Sequence, residues 1–120
     1  MLNLNSILVF SENPGTLLEF YKKVLQSEPE WSGGNFHGFK AGVGYLIIGP
    51  HDKVKGVNTH PERIIFNFET NDVEGEFKRI KGVGGKVVKE PYHPTEDEKM
   101  LLATLSDPDG NFFQLTSPME

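Results

Sequence analysis

Leu102-Ala103-Thr104-Leu105-Ser106-Asp107-Pro108-Asp109-Gly110-Asn111-Phe112-Phe113-Gln114-Leu115-Thr116-Ser117 is the stretch on which the fold turns. Its centre, Asp107 to Asn111, carries proline, aspartate and glycine in the order required by a type I turn followed by a left-handed residue. The flanking arms alternate apolar and polar residues, so the segment predicts two antiparallel strands joined by that turn. Gln114 stands out as a polar side chain inside the second arm. Hairpins of this kind occur in many folds, and the rest of the chain gives this one its meaning.

Moving upstream, Met100 to Leu105 and Lys86 to Lys89 read as strands, and Gly84-Gly85 ends a helix that carries Val73, Phe77 and Ile80 on one face. Asn71 or Asp72 is positioned to cap that helix, and Ile64 to Glu69 before it reads as a strand with Ile64, Phe66 and Phe68 on one side. The order recurs nearer the N-terminus. A strand from Leu4 to Phe10 is followed by Asn13, a candidate cap, and Pro14, which suits the first turn of a helix. Leu17, Phe20, Tyr21, Val24 and Leu25 then recur at helical spacing, predicting a helix to about Leu25. Strands follow around Trp31, over Phe36 to Ala41 and over Tyr45 to Gly49, the last two joined at Gly42-Val43-Gly44. Pro50 to Pro61 is a polar loop between the halves.

Both halves thus read strand-helix-strand-strand-strand, and Glu19-Phe20 of the first helix reappears as Glu76-Phe77 in the second. Two copies of a roughly 60-residue unit are too few for a solenoid, which needs about three. They suit an α+β fold of tandem βαβββ modules, residues 1–50 and 62–120, with the helices on the convex side of a curved mixed sheet. The concave side then needs a ligand, a partner or side chains to fill it.

With 120 residues the chain is long enough to bury a core without staples. It has no cysteine, which excludes disulfides, thiolate metal sites and a cysteine nucleophile, and fits a reducing cytoplasm. The apolar runs are far below the about 18 residues of a membrane span, and MLNLNSILVF lacks the basic start and cleavage site of a signal peptide. A soluble cytoplasmic protein is expected. The net charge is −5, and basic pairs such as Lys22-Lys23 and Lys78-Arg79 read as solvated helix faces, so nucleic acid is not an expected partner.

The duplicated pattern, with FYKKVL (20–25), FETNDVEGEFKRIKGVGGKVVKEP (68–91) and LSDPDGNFFQL (105–115), resembles the vicinal oxygen chelate superfamily of glyoxalase I, bleomycin resistance proteins and extradiol dioxygenases. GPHDKVKG (49–56) after the fourth strand looks like the mark of a separate branch. The resemblance implies a homodimer and a cup-shaped small-molecule cavity between modules. In the metal-dependent members, His, Gln or Glu from the first and last strand of each module hold a divalent ion. Carried over residue by residue, those positions fall on Asn5 or Ser6, on Ile48 or Gly49, on Arg63 and on Gln114. Only Gln114 is a usual ligand. At 4 Å and an effective dielectric of 20, a unit charge pair is worth about 4 kcal/mol, so Arg63 on the cup face would oppose a divalent ion by about twice that. The expectation is a lost metal site and no cofactor.

The fold hosts isomerases, dioxygenases and proteins that bind without chemistry, so function has to be read from the cup. If Ile64, Phe66 and Phe68 face the helices, Arg63, Ile65 and Asn67 face the cup, as do Phe112, Gln114 and Thr116; a one-residue slip would reverse this. Trp31, Phe39, Ile48 and Met100 are further candidate wall residues, which core packing would equally explain. Among the histidines, His37, His51, His60 and His93 show no metal-ligand spacing. His51 is the candidate general base or ligand contact, because imidazole is the side chain suited to proton transfer near neutrality. No nucleophile elbow or phosphate loop is present. The expected function is binding of a small organic molecule, anionic or aromatic, oriented by Arg63 and Gln114. The alternative is a metal-dependent glyoxalase-like lyase or isomerase, or a dioxygenase.

Overall fold

Turn chemistry and apolar periodicity resolve into two βαβββ units in the computed structural model, which describes residues 1–96 and 99–118. The chain divides into Met1–Gly56 and Val57–Glu120, so the division falls inside the polar loop between the halves. The first unit runs β1 (Ser6–Ser11), α1 (Pro14–Leu25), β2 (Trp31–Gly33), β3 (Phe36–Ala41) and β4 (Gly44–Pro50). The second runs β5 (Phe66–Glu69), α2 (Val73–Gly82), β6 (Lys86–Tyr92), β7 (Leu102–Ser106) and β8 (Phe112–Thr116). Each unit has its own four-stranded mixed sheet, in the order β1-β4-β3-β2 and β5-β8-β7-β6. β1 pairs with β4, and β5 with β8, in parallel; the remaining pairs are antiparallel. The helix between the parallel partners is the crossover that such pairing needs.

In the first unit the apolar stripe of α1 is buried as its spacing predicts, through Leu17, Phe20, Tyr21 and Val24. It meets Val9, Phe39, Leu46 and Ile48, all buried and all on the same side of the sheet by register. Fully burying each such side chain contributes about 1.5–3 kcal/mol. In the second unit Val73, Phe77 and Ile80 of α2 face a layer of Leu105, Phe113 and Phe66. Phe66 and Phe113 stack at 6.2 Å, and Phe68 meets both edge-on.

The 107–111 turn forms as its residues require. Gly110 takes φ 81°, and the buried Asp107 carboxylate accepts the Asp109 and Asn111 N–H groups at 2.9 and 3.0 Å and the Asn111 amide at 3.0 Å. Asn58 extends the network, donating its amide to Asn111 Oδ1 and its backbone N–H to the Asp109 carbonyl.

Several expected boundaries move. The first strand starts at Ser6, where pairing with Tyr45 begins, and leaves Leu4 exposed. Asn13 precedes α1 without a side-chain cap, its own N–H donating to Ser11 Oγ at 2.9 Å. Asp72 does cap α2, accepting from Gly75 N at 2.9 Å. The strand expected from Ile64 begins at Phe66, where pairing with Phe113 of β8 begins; Arg63 and Ile64 lie exposed beyond a turn closed by Arg63 N–H and the His60 carbonyl. Met100 sits before β7, its carbonyl accepting from His93 Nδ1 at 2.9 Å. β6 runs on to Tyr92, with register shifts on either side of Lys89.

Candidate functional site

A β-strand presents successive side chains to opposite faces, and directly paired residues share a face. Register therefore sorts the candidate residues. In the second unit, Asn67, Gln114 and Thr104 stand side by side across β5, β8 and β7 on the face away from α2, with Lys89 of β6 paired to Thr104. The Gln114 amide donates to Thr104 Oγ1 at 3.1 Å. That bond fixes the amide orientation and leaves Gln114 Oε1 as an acceptor in the row. Phe112, next on the same strand face, pairs with Ser106. The sequence reading brought Asn67, Gln114 and Phe112 together on one face, and register places them so; it missed Thr104, which looks like any polar strand residue until its partner is known.

Arg63 does not join this row. It is exposed in the turn ahead of β5, and the strand residue opposite Gln114 is Asn67. Arg63 therefore does not stand on the first strand of the second module, and its charge is not set opposite a cation held there. Met100 likewise lies in a loop and not on a strand.

In the first unit the face away from α1 carries Ser6, Leu8 and Phe10 of β1, Tyr45, Ile47 and Gly49 of β4, Phe36 and Gly38 of β3, and Trp31 of β2. Ile48 and Phe39, expected as wall residues, belong to the opposite face. Both are fully buried in the layer beneath α1. Of the pair Ile48 or Gly49, the residue on the helix-free face is Gly49. Trp31 remains half exposed, with its indole lying over Gly38, and the Phe36 ring lies over Gly49. Phe10 meets Phe36 edge-on at 6.2 Å.

His51 follows β4 directly and packs edge-on against Phe10 at 5.1 Å. Its loop is held to the unit by Glu12, which accepts from Gly56 N at 3.0 Å. His51 Nδ1 accepts the Lys53 N–H at 3.1 Å, yet also lies 3.3 Å from the Asp52 carboxylate. One nitrogen cannot serve both. The backbone N–H is an obligate donor, whereas Asp52 is nearly fully exposed, so the backbone bond sets the tautomer. In the neutral ring the proton then resides on Nε2, which can donate to a ligand.

Elsewhere the ionisable groups form local pairs. Glu76 and Arg79 are joined at 2.8–3.0 Å on α2, and this hydrogen bond holds the Glu76 carboxyl below its usual range and raises the guanidinium. Tyr45 donates to Glu30 at 2.9 Å, which raises its phenol. Lys22 lies between Glu19 and Glu28, as a solvated helix face would place it. Among the described residues no group of three or more His, Cys, Asp or Glu side chains is arranged to hold a metal ion. No helix among them is long and apolar enough to cross a membrane.

Paired βαβββ units with parallel first and fourth strands define the vicinal oxygen chelate class. Within it, the sequence profile of the glyoxalase-like domain matches residues 6–116, and the chain belongs to that family. Similar solved structures include a glyoxalase-related enzyme from Fulvimarina pelagi (TM-score 0.78, 14% identity, 98% of this chain and 89% of that one). A glyoxalase/bleomycin resistance protein/dioxygenase family enzyme from Burkholderia phytofirmans gives TM-score 0.76 at 18% identity, over 98% of this chain and 100% of the other. The genomically encoded fosfomycin resistance protein FosX from Listeria monocytogenes gives 0.69 at 18% identity, over 99% and 93%. At these identities the likeness is one of fold. Among curated proteins none matches the sequence.

Proposed function

We propose that the chain is a small-molecule-binding member of the glyoxalase-like family that works without the family's metal, as a homodimer in the cytoplasm. The supporting observation is the donor set. On the helix-free face of the first unit, the first and last strands carry Leu8, Phe10, Ile47 and Gly49 without a side-chain donor, and the Ser6 and Tyr45 hydroxyls at one end of that face donate to Asn5 and Glu30. In the second unit the corresponding pair is Asn67 and Gln114, two neutral amides, and the exposed Glu69 follows Asn67 two positions along the same strand face. A divalent ion is held by several oxygen or nitrogen donors, imidazole or carboxylate foremost, and the Asn67–Gln114 pair offers neither. They suit an uncharged hydrogen-bonding role instead. In the second unit Gln114 Oε1 accepts and the Asn67 amide both donates and accepts, a set that orients carbonyl, carboxylate or hydroxyl groups on an organic ligand; in the first unit His51 offers a donor of its own.

The test is a panel of small aromatic and aliphatic acids, alcohols and ketones screened by thermal shift on the metal-free protein. A true ligand at 100 times its dissociation constant adds about 2.7 kcal/mol to stability. Stabilisation by panel members with chelator present supports the reading. Stabilisation that appears only after nickel, zinc, manganese or iron is supplied would favour the lyase, isomerase or dioxygenase alternative.

A further inference from the structure

Gly38 and Gly49 are glycines in strand interiors, and neither adopts the left-handed conformation that would call for glycine. What they lack is a side chain. A Cβ on Gly38 would fall within the Trp31 indole, and one on Gly49 within the Phe36 ring. Each ring therefore occupies the space over its glycine. Register sets the two seats near each other, since Gly38 pairs with Ile47 and Gly49 follows Ile47 by two positions on the same face. Phe10, perpendicular to Phe36, stands up beside the second seat, and His51 abuts Phe10. Rings laid over strand glycines also shield the backbone beneath them. Trp31 is 43% exposed, so much of the indole is available to something else.

The geometry points to a planar-ligand seat: Trp31 over Gly38 and Phe36 over Gly49 form an aromatic floor that selects a conjugated ring system over a saturated one. Phe10 supplies an edge, and His51 a donor beside it for a polar substituent. Offset stacking rewards a flat ligand, whereas a puckered ring of equal size and charge touches the floor at few atoms. This inference rests on the small-molecule reading and names its substrate class. Gly38 and Gly49 become specificity-determining positions, although they touch no ligand.

The experiment compares 2-naphthoate with decahydro-2-naphthoate, which share skeleton and charge and differ in planarity. Trp31 is the one tryptophan, so quenching of its emission reports occupancy, with calorimetry as the second readout. Naphthoate is expected to quench Trp31 and to bind about tenfold more tightly than its saturated counterpart. Gly38→Ala, which lifts the indole off its seat, should abolish that preference while leaving the weaker binding of the saturated acid in place. Gly49→Ala gives the same readout at the second seat should Gly38→Ala fail to fold. Equal affinities in the parent protein, or a preference that survives both alanines, would overturn the inference and leave the small-molecule reading standing. Binding of neither acid would overturn the planar seat, and failure of the whole thermal-shift panel would remove the broader reading with it. A Trp31 shielded by a second copy would show emission that depends on protein concentration and ignores naphthoate, which also overturns the proposal.

Discussion

Asp107 shows how much one side chain can organise. Buried, with its carboxylate spanning two backbone N–H groups and an amide, it holds the turn that sets the register of β7 against β8 and so fixes which face Gln114 occupies. Asp107→Ala leaves those donors unsatisfied and should cost about 3 kcal/mol in urea unfolding, whereas Asp109→Ala should cost far less. Gln114→Ala removes one exchangeable hydrogen bond to Thr104 and should leave the melting temperature nearly unchanged. It should weaken the ligands identified by thermal shift by about tenfold, as measured calorimetrically. Asp107 and Gln114 were visible in the sequence because turn chemistry is local. The roles of Gly38 and Gly49 were not read, although an isolated strand glycine signals close approach of another group; that group, a ring on a paired strand, becomes known only once register is fixed.

The two helices are alike in apolar spacing but start differently. Asp72 caps α2 through Gly75 N, while Asn13 leaves α1 without a side-chain cap and Pro14 opens the helix. Asp72→Ala should therefore destabilise by about 1 kcal/mol and Asn13→Ala by a few tenths, compared by chemical denaturation. The Glu76–Arg79 pair on α2 adds a pH dependence. Its hydrogen bond lowers the folded-state carboxyl pKa, so its stabilisation is fully present above the unfolded value, near 4.3, and fades as pH falls through the lower folded value. Glu76→Gln should lower the melting temperature at pH 7 by a small amount, given the pair's partial exposure, and the difference from the parent should shrink as the pH is lowered into the acid range. Element type was legible throughout, because stripes of period 3.6 and 2 are carried by single segments. Element ends were less so. β5 begins at Phe66 and not at Ile64 because a strand lasts only as long as its partner, and β8 lies far along the chain.

At the scale of the whole chain, two units each repeat one topology, and the residues on their helix-free faces differ. If the donor set is as unsuited to a cation as its chemistry indicates, protein grown with nickel, zinc, manganese and iron should carry well under one equivalent by elemental analysis. Chelator should then leave its melting temperature unchanged, and a chelator-sensitive stoichiometric metal would refute the metal-free reading. Sedimentation across a range of concentrations tests the proposed homodimer. The sequence by itself determined the α+β class, the repeated order of elements, the hairpin and its turn, and membership of the superfamily, because helix periodicity, capping and turn geometry act between residues a few positions apart. Only the tertiary structure decided which residues share a face. It moved Phe39 and Ile48 into the layer under α1, took Arg63 off the strand, set Asn67 beside Gln114 and Thr104, and laid two rings on two glycines. A strand's side chains alternate with a period of two, so their placement depends on pairing with distant segments, and a single step of register exchanges one face for the other.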